Sequence, residues 1–357
     1  MKITRIEQIA VDIPYLERVL EHLQKGWGYG NRATDEEFRT NEPQYRKEWE
    51  ESSPPSVEMT VFRVHTAEGL VGVGEGRALS DEQAQEYIGK SPFDFVMDDS
   101  TGPLQIAFYD LMGQAAGLPI ARMLGPSRAE APLAYWSHCF PPEVLREEAR
   151  IAVENGYTVH KFKRRAHTDV VEQVECMLEV IPDDYEITID ANATFGTPEN
   201  AISFGRKLEK FPQVKCLESP IDQDNVDGYK LLKKELRFQL AHHYGSPDPL
   251  LALHSEAYDH FVIDGWVAGV MRSAHVAALR DKSFWMQMGQ TGITAAFMVH
   301  LAAAVPNATL GHVSLHHLLE HSLLAEPLAV REGQTRVPDE PGLGVELDMD
   351  ALERFRR

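Results

Sequence analysis

The chain has 357 residues and 43% hydrophobic content, enough for a large core and for one big domain plus a smaller one. Its formal net charge of −20 excludes general nucleic-acid binding, which needs a basic footprint, and favours solubility. Cys139, Cys176 and Cys216 make no disulfide framework and read as reduced cytoplasmic thiols, the first residues are too charged for a signal peptide, and no apolar run is long enough to span a membrane.

Residues 3–13 and 57–65 are rich in β-branched residues with partial alternation, and residues 70–75 form a third short run, together predicting an antiparallel meander. Between the first two lies a long polar stretch, from about Gln24 to Pro55, containing Gly26-Trp27-Gly28-Tyr29-Gly30. Structureless loops of this length often act as lids; the alternative is a disordered surface insertion. Residues 103–116 read as a helix, with Pro103 in the first turn and Leu104, Ala107, Phe108, Leu111 and Ala115 on one face.

After Pro132 the pattern becomes a regular alternation. Candidate strands are 132–138, 159–165, 186–192, 215–220, 238–243, 260–265, 284–289 and 309–314, with amphipathic segments between them. Thr197-Pro198-Glu199 caps a helix running to about Lys210, and Pro141-Pro142-Glu143-Val144 opens another. Strand–helix units at this spacing predict a (β/α)8-type barrel. A doubly wound open sheet is the rival, but no glycine-rich phosphate turn follows the first strand. From Pro327 the chain changes again: 330–337 reads as a hairpin and 341–347 as a closing loop and strand, expected to pack back on the first unit.

Catalytic groups of a barrel come from the C-terminal ends of its strands. Asp190 and Glu218 end consecutive strand-like runs, the next run ends in His242-His243, and the run before Asp190 holds Lys161 and Lys163. Residues two apart on a strand face the same side, so the two lysines share a face, as do Asp190 and Asn192. Burial lowers a lysine pKa and nearby carboxylates raise it. A divalent cation on the carboxylates would release a lysine to act as base, and carboxylate oxygens suit Mg²⁺. Such a set fits removal of a proton from carbon next to a carboxylate, with the metal stabilising the enediolate.

Five segments carry a family resemblance: residues 107–119 with Leu124-Gly125; residues 156–163, ending in Lys161-Phe162-Lys163; Asp190-Ala191-Asn192 with Glu218-Ser219-Pro220; residues 295–307; and Glu326-Pro327-Leu328 with the Pro341-Gly342-Leu343-Gly344-Val345 tail. In this order and spacing they resemble the enolase superfamily, in its mandelate racemase and muconate lactonizing enzyme branch, over nearly the whole chain. The resemblance implies a TIM-type (β/α)7β barrel with an N-terminal α+β capping domain. The expected division is 1–127 for the capping domain, 128–326 for the barrel and 327–357 for a segment packing back on the cap. It further implies chemistry that starts with abstraction of a proton α to a carboxylate, Mg²⁺ as cofactor, and a homo-oligomer. Lys163 takes the role of base, Lys161 its electrostatic partner, and Asp190 and Glu218 the first two metal-ligand roles.

The third ligand, an acid in the family, falls on His242, His243 or Tyr244. With His243 there, preference shifts towards Zn²⁺ or Mn²⁺; the alternative is that both histidines are merely polar residues at a strand end. Anchoring on Ala268-Gly269-Val270 puts Ile263 at the sixth strand end, with Asp264 facing away unless a bulge intervenes. The family's seventh-strand histidine falls near Gln287 or Met288, so no His–Asp dyad is expected. Asn192 would orient a ligand or water. Arg165, with Arg164, would clamp a substrate carboxylate or pair with surface acids, and Tyr29, with Trp27, would cap the substrate or pin the lid. His312, His316, His317 and His321 read as a solvated helix start, and His160 as packing against helices.

The expected function is a cytoplasmic lyase or isomerase, acid-sugar dehydratase-like or cycloisomerase-like, acting on a small carboxylate-containing substrate with no nucleic-acid or membrane partner. The rival is a binding barrel with an incomplete metal site. A zinc hydrolase ranks last, since no His-Glu-x-x-His motif is present.

Overall fold

The computed structural model describes every residue except Ser53, which falls within the polar stretch read as a lid. Strands β1 (Ile3–Pro14), β2 (Ser56–Thr66) and β3 (Val71–Gly76) form the expected antiparallel meander. Ile9, Val11 and Ile13 are buried at every second position of β1, so the pleat turns one face to the core. The helix Gln105–Ala116 lies directly on β3. Gly72, Gly74 and Gly76 permit that approach: a Cβ on Gly72 would sit 2.3 Å from the Ala107 carbonyl oxygen, and one on Gly74 2.8 Å from the Ala107 nitrogen. The helix starts later than 103 because Gly102, at φ 50°, breaks the preceding 3₁₀ turn Asp99–Leu104.

The polar stretch folds differently from the expected loop. It forms two helices, α1 (Glu17–Gly28) and α2 (Asp35–Ser52). Val19, Leu23 and Gly26 bury one stripe of α1. Helix α2 is charged nearly all round and opens with three acids, which suit the positive end of the helix dipole. Thr34 and Glu37 cap it reciprocally, and Glu42–Arg46 and Lys47–Glu51 pair at i,i+4. Phe38 and Tyr29 anchor it in a small aromatic cluster, with Tyr45 and Trp49 packed against them.

Eight parallel strand positions then close a barrel. They are β4 (Glu130–Ser137), β5 (Val159–Lys163), β6 (Glu186–Asp190), β7 (Val214–Glu218), β8 (Gln239–His243), β9 (His260–Val262), β10 (Ser283–Trp285) continued by β11 (Gln287–Met288), and β12 (His312–Ser314). Met286 separates β10 from β11, but its carbonyl accepts from Val313 N at 2.8 Å, so the wall continues, and β12 pairs with β4. Seven helices among the described residues fill the gaps, and the eighth connection holds only the 3₁₀ turn His316–Leu318, so the fold is a (β/α)7β barrel with an N-terminal antiparallel unit.

The tail departs in part from expectation. The hairpin β13 (Val330–Arg331) and β14 (Gln334–Arg336) pairs with the barrel strand β4, not with the first unit. The N-terminal end of β4 offers backbone groups that β14 satisfies. Residues beyond it do return: Leu343 N donates to Asp110 Oδ1 at 2.8 Å and Asp12 N to the Phe355 carbonyl at 2.9 Å.

Two acids of the N-terminal unit cap barrel helices. Asp99 accepts from Ala268 N and Gly269 N at the start of the helix Val267–Ala278. Glu75, fully buried, accepts from Thr291 N at 3.0 Å, Thr291 Oγ1 at 2.6 Å and Thr294 N at 2.9 Å at the start of the helix Gly292–Ala304. Glu75→Leu would strand those donors away from water. The expected loss is about 3 kcal/mol or more, read as a lower urea midpoint. An unchanged midpoint would mean that this junction does not stabilise the fold.

Candidate active site

The β5–β6–β7 register sets Lys163 beside Asp190 and Asp190 beside Glu218. Lys161 Nζ lies 2.5 Å from Glu218 Oε2, 3.4 Å from Asp190 Oδ2 and 2.5 Å from Gln287 Oε1, over the Trp285 ring. Lys163 Nζ lies 2.5 Å from the same Asp190 oxygen and donates to Asn192 Oδ1 at 3.0 Å. Both carboxylates are fully buried, Lys161 is 1% exposed, and Lys163, at 9%, reaches further towards solvent.

These neighbours push the two lysines apart. Burial pulls both down, but Glu218 and Asp190 outweigh it at Lys161 and hold that ammonium above the usual lysine range. At Lys163 burial wins over Asp190, with Lys161 adding repulsion, and the amine falls below its ordinary value. Asp190 resists the effect of burial because Lys163 and Lys161 hold it well below the usual carboxylate range.

Of the residue pair ending β8, His243 enters the site and His242 does not. His242 bonds the Ser246 carbonyl and packs on Tyr258 and Phe261. Tyr244 also packs edge-on against Phe261. His243 Nε2 lies 3.2 Å from Glu218 Oε1 and its Nδ1 3.5 Å from Asp264 Oδ2. Burial opposes the charge, but Asp264 and Glu218 raise this imidazole from 6.5 to about 9.

Asp264 corrects the sequence reading. Strand β9 ends at Val262, so alternation does not extend to residue 264; Ile263 joins the core, and Asp264 turns towards His243 and accepts from Gln287 N at 3.1 Å. A His–Asp pair is therefore present, drawn from strands five and six. Gln287 is likewise a contact partner of Lys161 that the sequence offered only as a missing base.

Asn192 receives Lys163 and also Arg165 Nη2, at 2.8 Å. Arg165 is buried and gives its remaining bonds to Asn31 Oδ1 and the Arg164 carbonyl, while Arg164 pairs with Asp35. Both arginines thus tie the segment around α1 and α2 to the barrel mouth. Tyr29 bonds Glu42 through its hydroxyl and packs on Phe38, Trp49 and His167, which pins the lid helices. Arg32 had no sequence signal: it lies in the turn between α1 and α2, exposed, in a cleft of about 480 Å³ shared with Asn192, Ser219, Gln223 and His243. Of the four histidines expected at a solvated helix start, His312 and His316 are buried and bond Met286 N and Ser314 Oγ, half-buried His317 bonds the Trp136 carbonyl, and His321, facing Asp348, stays partly exposed; His160 bonds Ser137 Oγ.

The residues matched to the metal-ligand positions do not fit a divalent ion as arranged. Asp190 and Glu218 already meet two ammoniums, and His243 faces carboxylates with both ring nitrogens. A protonated imidazole has no lone pair for a metal. Among the described residues, no three His, Cys, Asp or Glu side chains are grouped to hold one.

The family model for the enolase C-terminal domain-like family matches residues 144–351, and the chain belongs to that superfamily. It is 25% identical to an arabinonate dehydratase of Saccharolobus solfataricus, over 84% of this chain and 91% of the relative. It is 24% identical to muconate cycloisomerase 1-2 of Acinetobacter lwoffii, over 84% and 88%. The 2-chloromuconate cycloisomerase of Rhodococcus opacus shares the fold with a TM-score of 0.74, at 19% identity and full coverage of both chains. Members of the superfamily generally use Mg²⁺. No helix among the described residues is long and apolar enough to cross a membrane.

Because the His243 pKa is raised on folding, its pairing stabilises the fold fully below the unfolded value near 6.5, and that contribution is lost as pH rises through about 9. Denaturation curves of the wild type should therefore weaken across that window more than those of His243→Asn. Parallel pH profiles for the two proteins would refute the assignment.

Proposed function

We propose that the chain is a lyase or isomerase, of the acid-sugar dehydratase or cycloisomerase kind, that acts on a small carboxylate-bearing substrate and begins by removing the proton α to that carboxylate. The observation that carries this reading is a pair of groups at the barrel mouth: Lys163 with a lowered pKa, bonded to Asp190 and Asn192, and His243 with a raised one, each in contact with the Asp190–Glu218 carboxylates. Titratable groups driven apart by their surroundings mark a base and an acid. Lys163, as the free amine, takes the carbon-bound proton. The Lys161 ammonium is a fixed positive charge beside the developing enediolate. His243, oriented by Asp264, protonates the leaving oxygen in an elimination, or the new carbanion centre in an isomerisation. Arg32 binds the substrate carboxylate from the lid turn, where a guanidinium matches two oxygens. One free amine and one protonated imidazole suit a directional reaction better than racemisation, which needs an acceptor on each face.

The alternative, a binding barrel without turnover, draws on the same network, because every cation in it already has a carboxylate partner. Incubation with a panel of aldonic, aldaric and muconate-type acids in D₂O separates the two. Exchange of the α-proton is expected for the true substrate class. Lys163→Ala should slow turnover by about 10²–10⁴-fold, the usual contribution of a general base. Full activity in that variant would rule out Lys163 as the base, and tight binding with no exchange would favour the binding barrel.

A further inference from the structure

The buried ammonium of Lys161 has a coordination shell of its own. Its Nζ meets Glu218 Oε2 and Gln287 Oε1 at 2.5 Å and Asp190 Oδ2 at 3.4 Å. Gln287 accepts a hydrogen bond from it, and the two carboxylates face it as ion-pair partners. Neither Glu218 oxygen has a well-formed hydrogen bond; Lys161 on one oxygen and His243 on the other are its ion-pair neighbours. A divalent ion on Asp190 and Glu218 would compete for those oxygens and would sit against two ammoniums.

The charge count points the same way. The buried carboxylates of Asp190 and Glu218 already face the two buried lysine nitrogens, so these four groups need no further cation beside them. Adding a doubly charged cation to a balanced, buried cluster leaves uncompensated charge in low dielectric, which is strongly unfavourable unless a lysine deprotonates or moves out. Gln287 contributes the neutral acceptor that completes the Lys161 shell from the seventh strand.

We propose that Lys161 is the resident cation of this site, occupying the space between Asp190 and Glu218 in place of a divalent metal ion. The inference does not rest on the identity of the base or the substrate, and its test needs neither. Wild-type protein, stripped with chelator, is titrated with MnCl₂ and followed by the electron paramagnetic resonance of free Mn²⁺, with MgCl₂ calorimetry in parallel. No stoichiometric binding is expected up to about 1 mM, the weak end of ordinary protein sites for divalent ions. Lys161→Met and Lys161→Gln, checked for cooperative melting, should each gain one Mn²⁺ site with at least tenfold higher affinity, and Glu218→Gln added to either should abolish it. Stoichiometric Mn²⁺ binding by the wild type that Glu218→Gln removes would overturn the proposal. So would folded Lys161→Met and Lys161→Gln proteins that bind no Mn²⁺, since the carboxylates would then be no latent metal site.

Discussion

Both lysine ammoniums converge on one oxygen of Asp190, and the rest of the site is arranged around that contact. Asp190 lies at the end of β6, between the strand carrying the lysines and the strand carrying Glu218, so register alone places it at their midpoint. Burying such a group alone would be costly; burying it against two cations keeps it ionised and fixes both ammonium positions. The backbone just beyond is held in the left-handed region at Asn192 (φ 45°), Ala193 (φ 66°) and Ser219 (φ 45°). For Ala193 and Ser219 this costs energy that the surroundings must offset. The hydrogen bonds of Asn192 N to Asp190 Oδ1 and of Ala193 N to the Ser219 carbonyl lock the two strand ends together. The strain sits where strand must turn away while leaving its last acid in the mouth.

The N-terminal unit reaches this cluster by two routes. From above, Asn31 and Asp35 hold Arg165 and Arg164, and Arg165 shares the Asn192 oxygen that also receives Lys163. Movement of the α1–α2 turn would therefore be felt at Lys163 through a single amide, and Arg32 rides on the same turn. From the side, Asp99 and Glu75 cap the helices that follow Asp264, just beyond β9, and Gln287, in β11. The cap is thus part of the electrostatic site as well as its cover.

The barrel was legible because short apolar runs recur at regular spacing between amphipathic segments, and three consecutive ones, β5 to β7, end in charged residues that a buried strand would not otherwise carry. Lys161, Lys163, Asp190 and Glu218 converge because alternation holds all the way to those strand ends. The same rule misplaced Asp264, because β9 stops two residues earlier and the chain there is free to turn. Helix α2 was illegible for a different reason: its apolar surface is little more than Phe38, Tyr45 and Trp49 in a charged sequence, and its order comes from a cap, i,i+4 pairs and tertiary contacts that periodicity does not report. Arg32 could not be singled out from sequence, since a polar turn residue acquires a role only through the cleft it faces.

A lysine base beside carboxylates poses a problem that a divalent metal normally solves: unless those charges are cancelled, they hold the amine protonated. Lys161 supplies part of that effect here. It and Lys163 share one Asp190 oxygen, so the two ammoniums lie within about 6 Å. At that separation their repulsion is about 3 kcal/mol for an effective dielectric constant near 20. It is smaller than the attraction of Asp190 at 2.5 Å, about 7 kcal/mol on the same scale, so it adds to the burial that lowers the Lys163 amine while Glu218 keeps Lys161 charged. His243 then has no need to be a ligand. Drawn between Glu218 and Asp264, it is held with a raised pKa, which is what the proposed reaction asks of an acid on that side.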